Sequence, residues 1–208
     1  MENHWLIFLT SFTIAFSGAM MPGPLLSATI SESVRRGASA GPLFMLGHGI
    51  LEIGLIAALF LGLAPFLTNP AVFKVIAVAG GGFMIFMAAG MFRSLKGLSI
   101  DTTAGTPVNG NIVLLGAGMS MANPYWIIWW ATIGLGYILS AGELGFSGIA
   151  IFFFGHILAD TIWYTFVSFG VAKSRKIMSD RVYRVLIGIC ACFLAGYAVY
   201  LLLNTFLI

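Results

Sequence analysis

The chain has 208 residues, of which 60% are hydrophobic and only 8% are Asp, Glu, Lys or Arg. Soluble domains carry about 25% charged residues, so this composition excludes a water-soluble globule, a disordered chain and a nucleic-acid-binding protein. The apolar runs are long and continuous instead of alternating with period two, which predicts an all-α membrane protein and not a transmembrane barrel.

Six membrane-spanning helices are predicted in chain order, because a helical span needs about 20 apolar residues and lipid offers no partner to an unpaired backbone amide. The predicted spans lie near residues 5–31, 42–67, 72–92, 112–139, 144–171 and 184–206. They take up most of the length, so residues 1–208 are predicted to form a single transmembrane domain.

Basic residues predict the orientation of the bundle. Lys74 lies on the side of the N terminus, and the opposite side receives the other nine, which are Arg35, Arg36, Arg93, Lys96, Lys173, Arg175, Lys176, Arg181 and Arg184. By the positive-inside rule the side with nine basic residues is cytoplasmic, which places both termini outside. The first span has no Lys or Arg before it and is too long for a signal-peptide core, so we expect it to be retained.

Proline interrupts the first and fourth predicted spans. The first contains Pro22, Gly23 and Pro24, and the fourth contains Asn123 and Pro124. A proline inside a helix removes one hydrogen bond and clashes with the preceding turn, while Asn followed by Pro is typical of a helix start. Each break is predicted to leave unpaired N–H groups inside the membrane, which suit a substrate carboxylate; a simple kink that fits neighbouring helices is the alternative.

The second and fifth spans each carry a histidine that follows a glycine and precedes an acid by four residues. These pairs are His48 with Glu52 and His156 with Asp160, and the spacing places each pair on one helix face. An ionised acid at the centre of a membrane helix costs about 2.5–3.5 kcal/mol on the insertion scale, which favours a functional use over a structural clamp. The pairs are suited to sharing a proton or to holding a cation jointly.

The breaks and the His–acid pairs recur in the same order in the two halves of the chain. An odd number of spans in each half inverts the second half relative to the first, which is typical of secondary transporters. The first repeat is predicted to cover about 1–98 and the second about 108–208.

Aromatic residues follow the second break and the second acid. Trp126 and Trp163 are candidate walls of a substrate pocket, and Trp163 is the stronger candidate because it lies one turn after Asp160. An interfacial belt or plain packing is the alternative reading of these aromatic residues.

No enzyme motif and no cofactor-binding motif is found in the sequence. Cys190 and Cys192 are two residues apart in the last span, so on a helix they point about 160° apart. This spacing predicts neither a disulfide nor a redox pair, and we expect no cofactor.

The turn Pro22–Pro24, the following Arg35–Gly37 and a glycine-rich second span from Gly47 resemble the N-terminal signature of the lysine exporter (LysE/RhtB) family. Asn123–Pro124 followed by aromatic residues resembles the second motif of that family. The resemblance implies an exporter of amino acids and related metabolites in a prokaryotic inner membrane, driven by the proton gradient. Leu25 stands where the family commonly has Asn, which indicates a divergent subgroup.

The sequence therefore predicts a secondary exporter of a small metabolite, an amino acid, by proton antiport with alternating access. The predicted substrate-binding residues are Pro22, Gly23, Pro24, Asn123, Pro124, Trp126 and Trp163. The predicted proton-coupling residues are His48, Glu52, His156 and Asp160. The main alternative is an exporter of a divalent metal cation with these same four residues as ligands. The expected partners are the substrate, protons and the lipid bilayer, without nucleic acid, and a homo-oligomer is left open.

Overall fold

The computed structural model describes residues 4–67, 69–99, 110–174 and 179–207. In this part of the chain the regular structure is helical. The α-helices are α1 (His4–Ala19), α2 (Pro24–Arg36), α3 (Ala40–Ala58), α4 (Ala64–Leu67), α5 (Pro70–Ser94), α6 (Ile112–Met121), α7 (Pro124–Trp129), α8 (Leu135–Gly142), α9 (Gly145–Ser174) and α10 (Asp180–Leu207). Short π-helical turns join α3 to α4 and α7 to α8, and a 3₁₀ turn ends α5.

The described helices form six candidate membrane spans. Four are single spans, namely Ala40–Leu67, which has a kink at Gly62, Pro70–Gly97, Gly145–Ser174 and Asp180–Thr205. The other two are bent pairs, His4–Ala19 with Pro24–Arg36 and Ile112–Met121 with Pro124–Gly142, whose members meet at angles of 79° and 62°. When each bent pair is taken as one span, the spans follow the predicted order, and the all-α membrane fold is confirmed.

Both bends lie at the predicted prolines. Pro24 is the first residue of α2 and Pro124 is the first residue of α7. Proline is favoured at this position because its fixed φ suits a helix start and the first N–H has no helical acceptor in any case. The first and fourth spans are therefore broken helices, and the second segment of each starts at its proline.

Helices of the first half pack against helices of the second half: α1 packs against α9, α3 against α6, and α5 against α10. The glycine of each Gly-His pair lies at one of these crossings. A Cβ on Gly47 would overlap the carbonyl of Val113 in α6, and a Cβ on Gly155 would lie 2.9 Å from the carbonyl oxygen of Phe8 in α1. The missing side chains thus let each His-bearing helix approach the broken helix of the other half closely.

The described basic residues lie at helix ends. Arg35 and Arg36 end α2, Arg93 lies in the last turn of α5, and Lys173 lies in the last turn of α9. Arg175 and Lys176 lie outside the described residues, as does the predicted start of the second repeat near 108. The orientation of the bundle in the membrane stays a prediction.

Candidate functional site

Four ionisable side chains meet between α3 and α9. His48 and Glu52 come from α3, His156 and Asp160 come from α9, and none of the four is more than 6% exposed. Nε2 of His48 lies 3.1 Å from Oε1 of Glu52 and 3.3 Å from Oδ2 of Asp160. Nε2 of His156 lies at the same two distances from the same two oxygens. Each histidine therefore contacts both acids, and we call these four residues the polar cluster.

Two indole N–H groups hold one oxygen of Glu52. Nε1 of Trp130 donates to Oε1 at 2.9 Å, and Nε1 of Trp126 donates to the same atom at 3.2 Å. An indole N–H is a donor only, so Oε1 acts as an acceptor, as suits a carboxylate. The other oxygen, Oε2, is buried and has no hydrogen-bond partner among the described residues. One oxygen is surrounded by donors, and the other is left for a proton or a ligand.

A serine orients His48. Nδ1 of His48 lies 2.7 Å from Oγ of Ser120, and this hydroxyl donates to the carbonyl oxygen of Gly116 at 2.8 Å. A hydroxyl has a single proton, so Ser120 must accept from His48, and Nδ1 carries a hydrogen. Nε2, which faces Glu52 and Asp160, is therefore the ring atom that gains and loses a proton.

Aromatic rings surround the second histidine. The ring of His156 lies 4.9 Å from the ring of Trp129, 5.5 Å from that of Trp130 and 6.0 Å from that of Phe152. Its Nδ1 atom is buried without a hydrogen-bond partner among the described residues. The polar contacts of His156 in the described structure are thus concentrated at Nε2, on the side of the acids.

A small cavity lies beside the polar cluster, at the level of both helix breaks. The centres of water molecules can occupy about 40 Å³ of this cavity. Because one water needs about 10–15 Å³ on this measure, the cavity has room for about three waters. Along with the polar cluster, its walls contain Gly18, Ala19, Met21, Gly23, Leu25, Leu26, Ser120, Asn123, Tyr125, Trp126, Trp129, Trp130 and Tyr164. No Lys or Arg is among the described residues that line it. A larger solute enters only if the surrounding helices move.

The structure brings together seven of the predicted site residues. Gly23, Asn123 and Trp126 line the cavity along with the polar cluster. Three predicted residues shape the breaks without lining the cavity, namely Pro22, Pro24 and Pro124.

Trp163 also lies outside the cavity lining. Its ring packs 6.2 Å from the ring of Phe166, and its Nε1 atom is buried without a described hydrogen-bond partner. Its neighbour Tyr164 lines the cavity instead. At 3.6 residues per turn, a residue four positions after Asp160 lies closer to its direction on the helix than a residue three positions after it.

Sequence reasoning missed Ser120, and it also gave the indole donors no specific role. Ser120 is fully buried, but so is Ser11, which donates to the carbonyl oxygen of Phe152 at 2.5 Å. Nothing in the local sequence separates a serine that positions a histidine from one that bonds to a neighbouring backbone. The distinction needs the crossing of α3 and α6, which is a long-range contact.

The comparisons with known proteins agree with this architecture. The family described as LysE type translocator matches residues 16–205. A protein of Bacillus subtilis (strain 168) named "Putative amino acid efflux protein YcgF" is 22% identical over 197 residues, which cover 93% of this chain and 94% of that protein. No solved structure matches the chain. The family match includes both helix breaks and the whole polar cluster.

Proposed function

The chain belongs to the LysE type translocator family, and we propose that it exports an amino acid from a prokaryotic cell, across the inner membrane, in exchange for protons. The observation that carries this proposal is the buried polar cluster on the wall of a cavity where two helices are broken. The name of the Bacillus subtilis relative, an amino acid efflux protein, supports an amino acid as the cargo. A family of translocators also agrees with a sequence that has no catalytic motif.

The geometry supports proton coupling at the polar cluster. Two carboxylates share contacts of 3.1–3.3 Å with the same two imidazole nitrogens, so a proton moves between them over hydrogen-bond distances. Buried ionisable groups of transporters commonly form such proton relays. If a proton and the ammonium group of a substrate compete for Glu52 and Asp160, the site binds either the proton or the substrate. The site then carries the substrate in one direction and the proton in the other, which is proton antiport.

Alternating access is proposed to come from an inverted repeat of two three-span halves. In its support, each half begins with a proline-broken helix pair and continues with a helix that carries a His–acid pair. The packing of α1 against α9 and of α3 against α6 places the contacts between the two halves, which supports a rocking motion of one half against the other. The cavity has room for a few waters only, so the surrounding helices have to move before an amino acid can bind there.

The test is efflux from vesicles that contain the purified protein. Vesicles are loaded with each of a panel of radiolabelled amino acids, and release is measured with and without an acidic exterior, together with the pH inside. We expect release of at least one amino acid to be faster with an acidic exterior and to be accompanied by acidification of the interior. Glu52→Gln and Asp160→Asn should abolish the acceleration, whereas Glu143→Gln, an exposed acid at the end of α8, should behave as the wild type. Wild-type rates in both cluster variants would contradict the coupling role.

A divalent metal cation is a second candidate cargo, which one observation favours. The polar cluster offers two nitrogen and two oxygen atoms that lie within 4.8 Å of one another. The four N–O separations of 3.1–3.3 Å are near the edge length of about 3.3 Å expected for a tetrahedron of ligands at about 2.0 Å from a central ion. The two indole donors on Oε1 of Glu52 weigh against metal binding at that atom.

Thermal unfolding with added Zn²⁺ or Mn²⁺ distinguishes between the two candidate cargoes. If a metal is the cargo, it should raise the Tm of the wild type and of His4→Ala, an exposed histidine of α1, but not of His48→Ala. If an amino acid is the cargo, the amino acid that is exported should raise the Tm, and the metals should have no effect that depends on His48.

A further inference from the structure

The two broken helices differ at the residue before the proline. Oδ1 of Asn123 accepts the N–H of Tyr125 at 3.2 Å, so the start of α7 is capped by its own side chain. Gly23 occupies the same position before α2 and makes no side-chain cap. The N–H groups of Leu25 and Leu26, in the first turn of α2, have no acceptor among the described residues. The start of α2 therefore presents free donors at the positive end of a 13-residue helix.

The residues that carry these donors line the same cavity as an unsatisfied carboxylate. Gly23, Leu25 and Leu26 line the cavity with Glu52, which is fully buried. Oε2 of Glu52 has no hydrogen-bond partner in the described part of the chain. Buried polar groups are nearly always paired, so this oxygen is an independent indication of a ligand with a donor. The cavity thus combines donors that suit an anion with a carboxylate that suits a cation, and no Lys or Arg is among the described residues that line it.

We propose that the start of α2 binds the carboxylate of the exported molecule while its ammonium group binds at Glu52 and Asp160. This inference rests on the proposed export of amino acids and specifies how they are recognised. The cargo is a free amino acid that carries both groups, and molecules with a blocked carboxylate, such as carboxamides, or with none, such as simple amines, are discriminated against. Gly23 is the specificity-determining residue, because a capping side chain there would take the donors that the carboxylate needs.

The position tolerates the substitution that tests this role. Gly23 has a φ of −156° and a ψ of −165°, an extended conformation that any residue adopts. The nearest atom to an added Cβ is the carbonyl oxygen of Met21 at 4.0 Å. Gly23→Asn therefore gives α2 the cap that α7 already has, without steric conflict at Cβ, and its melting temperature should be equal to that of the wild type or higher.

The experiment compares half-saturating concentrations for efflux of the amino acid that the wild type transports best and of its carboxamide. In the wild type we expect the carboxamide value to be at least about tenfold higher. Gly23→Asn should raise the amino-acid value by about tenfold, which corresponds to about 1.4 kcal/mol, and should change the carboxamide value by no more than about twofold. Gly97→Asn, at an exposed position where a Cβ meets nothing within 4 Å, is the matched control and should keep both wild-type values.

Each result has a distinct meaning. If the wild type exports no amino acid, the proposed function fails and this inference fails with it. If the wild type exports amino acids but does not distinguish them from carboxamides, or if folded Gly23→Asn keeps the wild-type values, the inference alone is overturned. Gly23→Ser provides a smaller cap and replaces Gly23→Asn in the same comparison if the latter does not fold.

Discussion

Nε2 of His156 lies 3.1 Å from Oε1 of Glu52, although the two residues are 104 positions apart in the chain. Trp130 donates to the same oxygen at 2.9 Å. Glu52 thus connects α3 to α9 and to the π-helical turn that follows α7. Because side chains from broken and unbroken helices contact the same atom, Oε1 of Glu52, substitutions of these side chains should affect both stability and transport.

Loss of the indole donor of Trp130 is the most direct test of this connection. Trp130→Phe removes a hydrogen bond to a carboxylate, and such bonds contribute about 1.5–3 kcal/mol. Trp129→Phe is the matched control, because Trp129 is also buried but donates to the neutral hydroxyl of Ser17 at 3.2 Å, a bond of about 0.5–1.5 kcal/mol. Both variants lose the same ring atoms, so Trp130→Phe should lower the free energy of unfolding in detergent by about 1 kcal/mol more. Equal losses would contradict the special role of the Glu52 contact.

Two glycines should be intolerant of even a methyl group. A Cβ on Gly47 would overlap the carbonyl of Val113, and a Cβ on Gly116 would overlap the carbonyl of Phe44. Backbone atoms cannot rotate aside as a side-chain end can, so α3 and α6 would have to separate. We expect Gly47→Ala and Gly116→Ala to cost about 1–3 kcal/mol or more in the free energy of unfolding.

The control for this prediction is Gly54→Ala on the same helix as Gly47, where an added Cβ meets nothing within 4 Å. Its stability should equal that of the wild type or exceed it by up to about 1 kcal/mol, because Ala is a better helix former than Gly. Separation of α3 from α6 should also weaken the contact of His48 with Ser120, so the two intolerant variants should lose transport in the fraction that still folds. Wild-type stability of Gly47→Ala would contradict the close contact between Gly47 of α3 and the carbonyl of Val113 in α6.

Ser120 should matter for coupling more than for stability. Ser120→Ala removes the acceptor that keeps the proton of His48 on Nδ1, so the ring can turn or change tautomer and Nε2 no longer faces the acids reliably. Ser168→Ala is the control, since this buried serine donates to the carbonyl oxygen of Ala38, away from the polar cluster. We expect similar losses of stability, about 1 kcal/mol each, but a changed pH dependence of efflux in Ser120→Ala only. An unchanged pH profile in Ser120→Ala would remove the orienting role of the serine.

The sequence predicts much of this arrangement because its strongest signals are local. Proline after Asn123 is typical of a helix start, Pro22–Pro24 is typical of a helix break, and lipid requires the remaining runs to be helical. The spacing of four between each histidine and its acid is likewise a property of one helix. Joint use of all four residues, as the sequence predicts, requires the two pairs to meet, and the N–O distances of 3.1–3.3 Å agree with that expectation.

The remaining features depend on how separate helices turn against one another. Trp163 and Tyr164 are adjacent on α9, and a rotation of that helix decides which one lines the cavity. The sequence shows that Gly23 has no capping side chain, but it does not show that Leu25, Leu26 and Glu52 line one cavity. Such contacts join residues distant in sequence, so no local pattern reveals them.

The orientation of the bundle can be tested by labelling single cysteines. Two contacts show which helix ends lie together: Nε2 of His4 is 3.0 Å from Oγ of Ser147, which joins the starts of α1 and α9, and Nε of Arg184 donates to the carbonyl oxygen of Leu98 at 2.8 Å, which joins the end of α5 to the start of α10. The basic residues predict that the first of these ends is outside and the second is cytoplasmic.

In a background with both native cysteines replaced by alanine, Glu143→Cys should therefore react with a membrane-impermeant maleimide in intact cells. Gly97→Cys should react only after the cells are opened, because it lies at the cytoplasmic end of α5. Both positions are exposed, so a difference in labelling reports the side of the membrane and not burial. The reverse pattern would place both termini in the cytoplasm, and labelling of both positions in intact cells would indicate a mixed orientation.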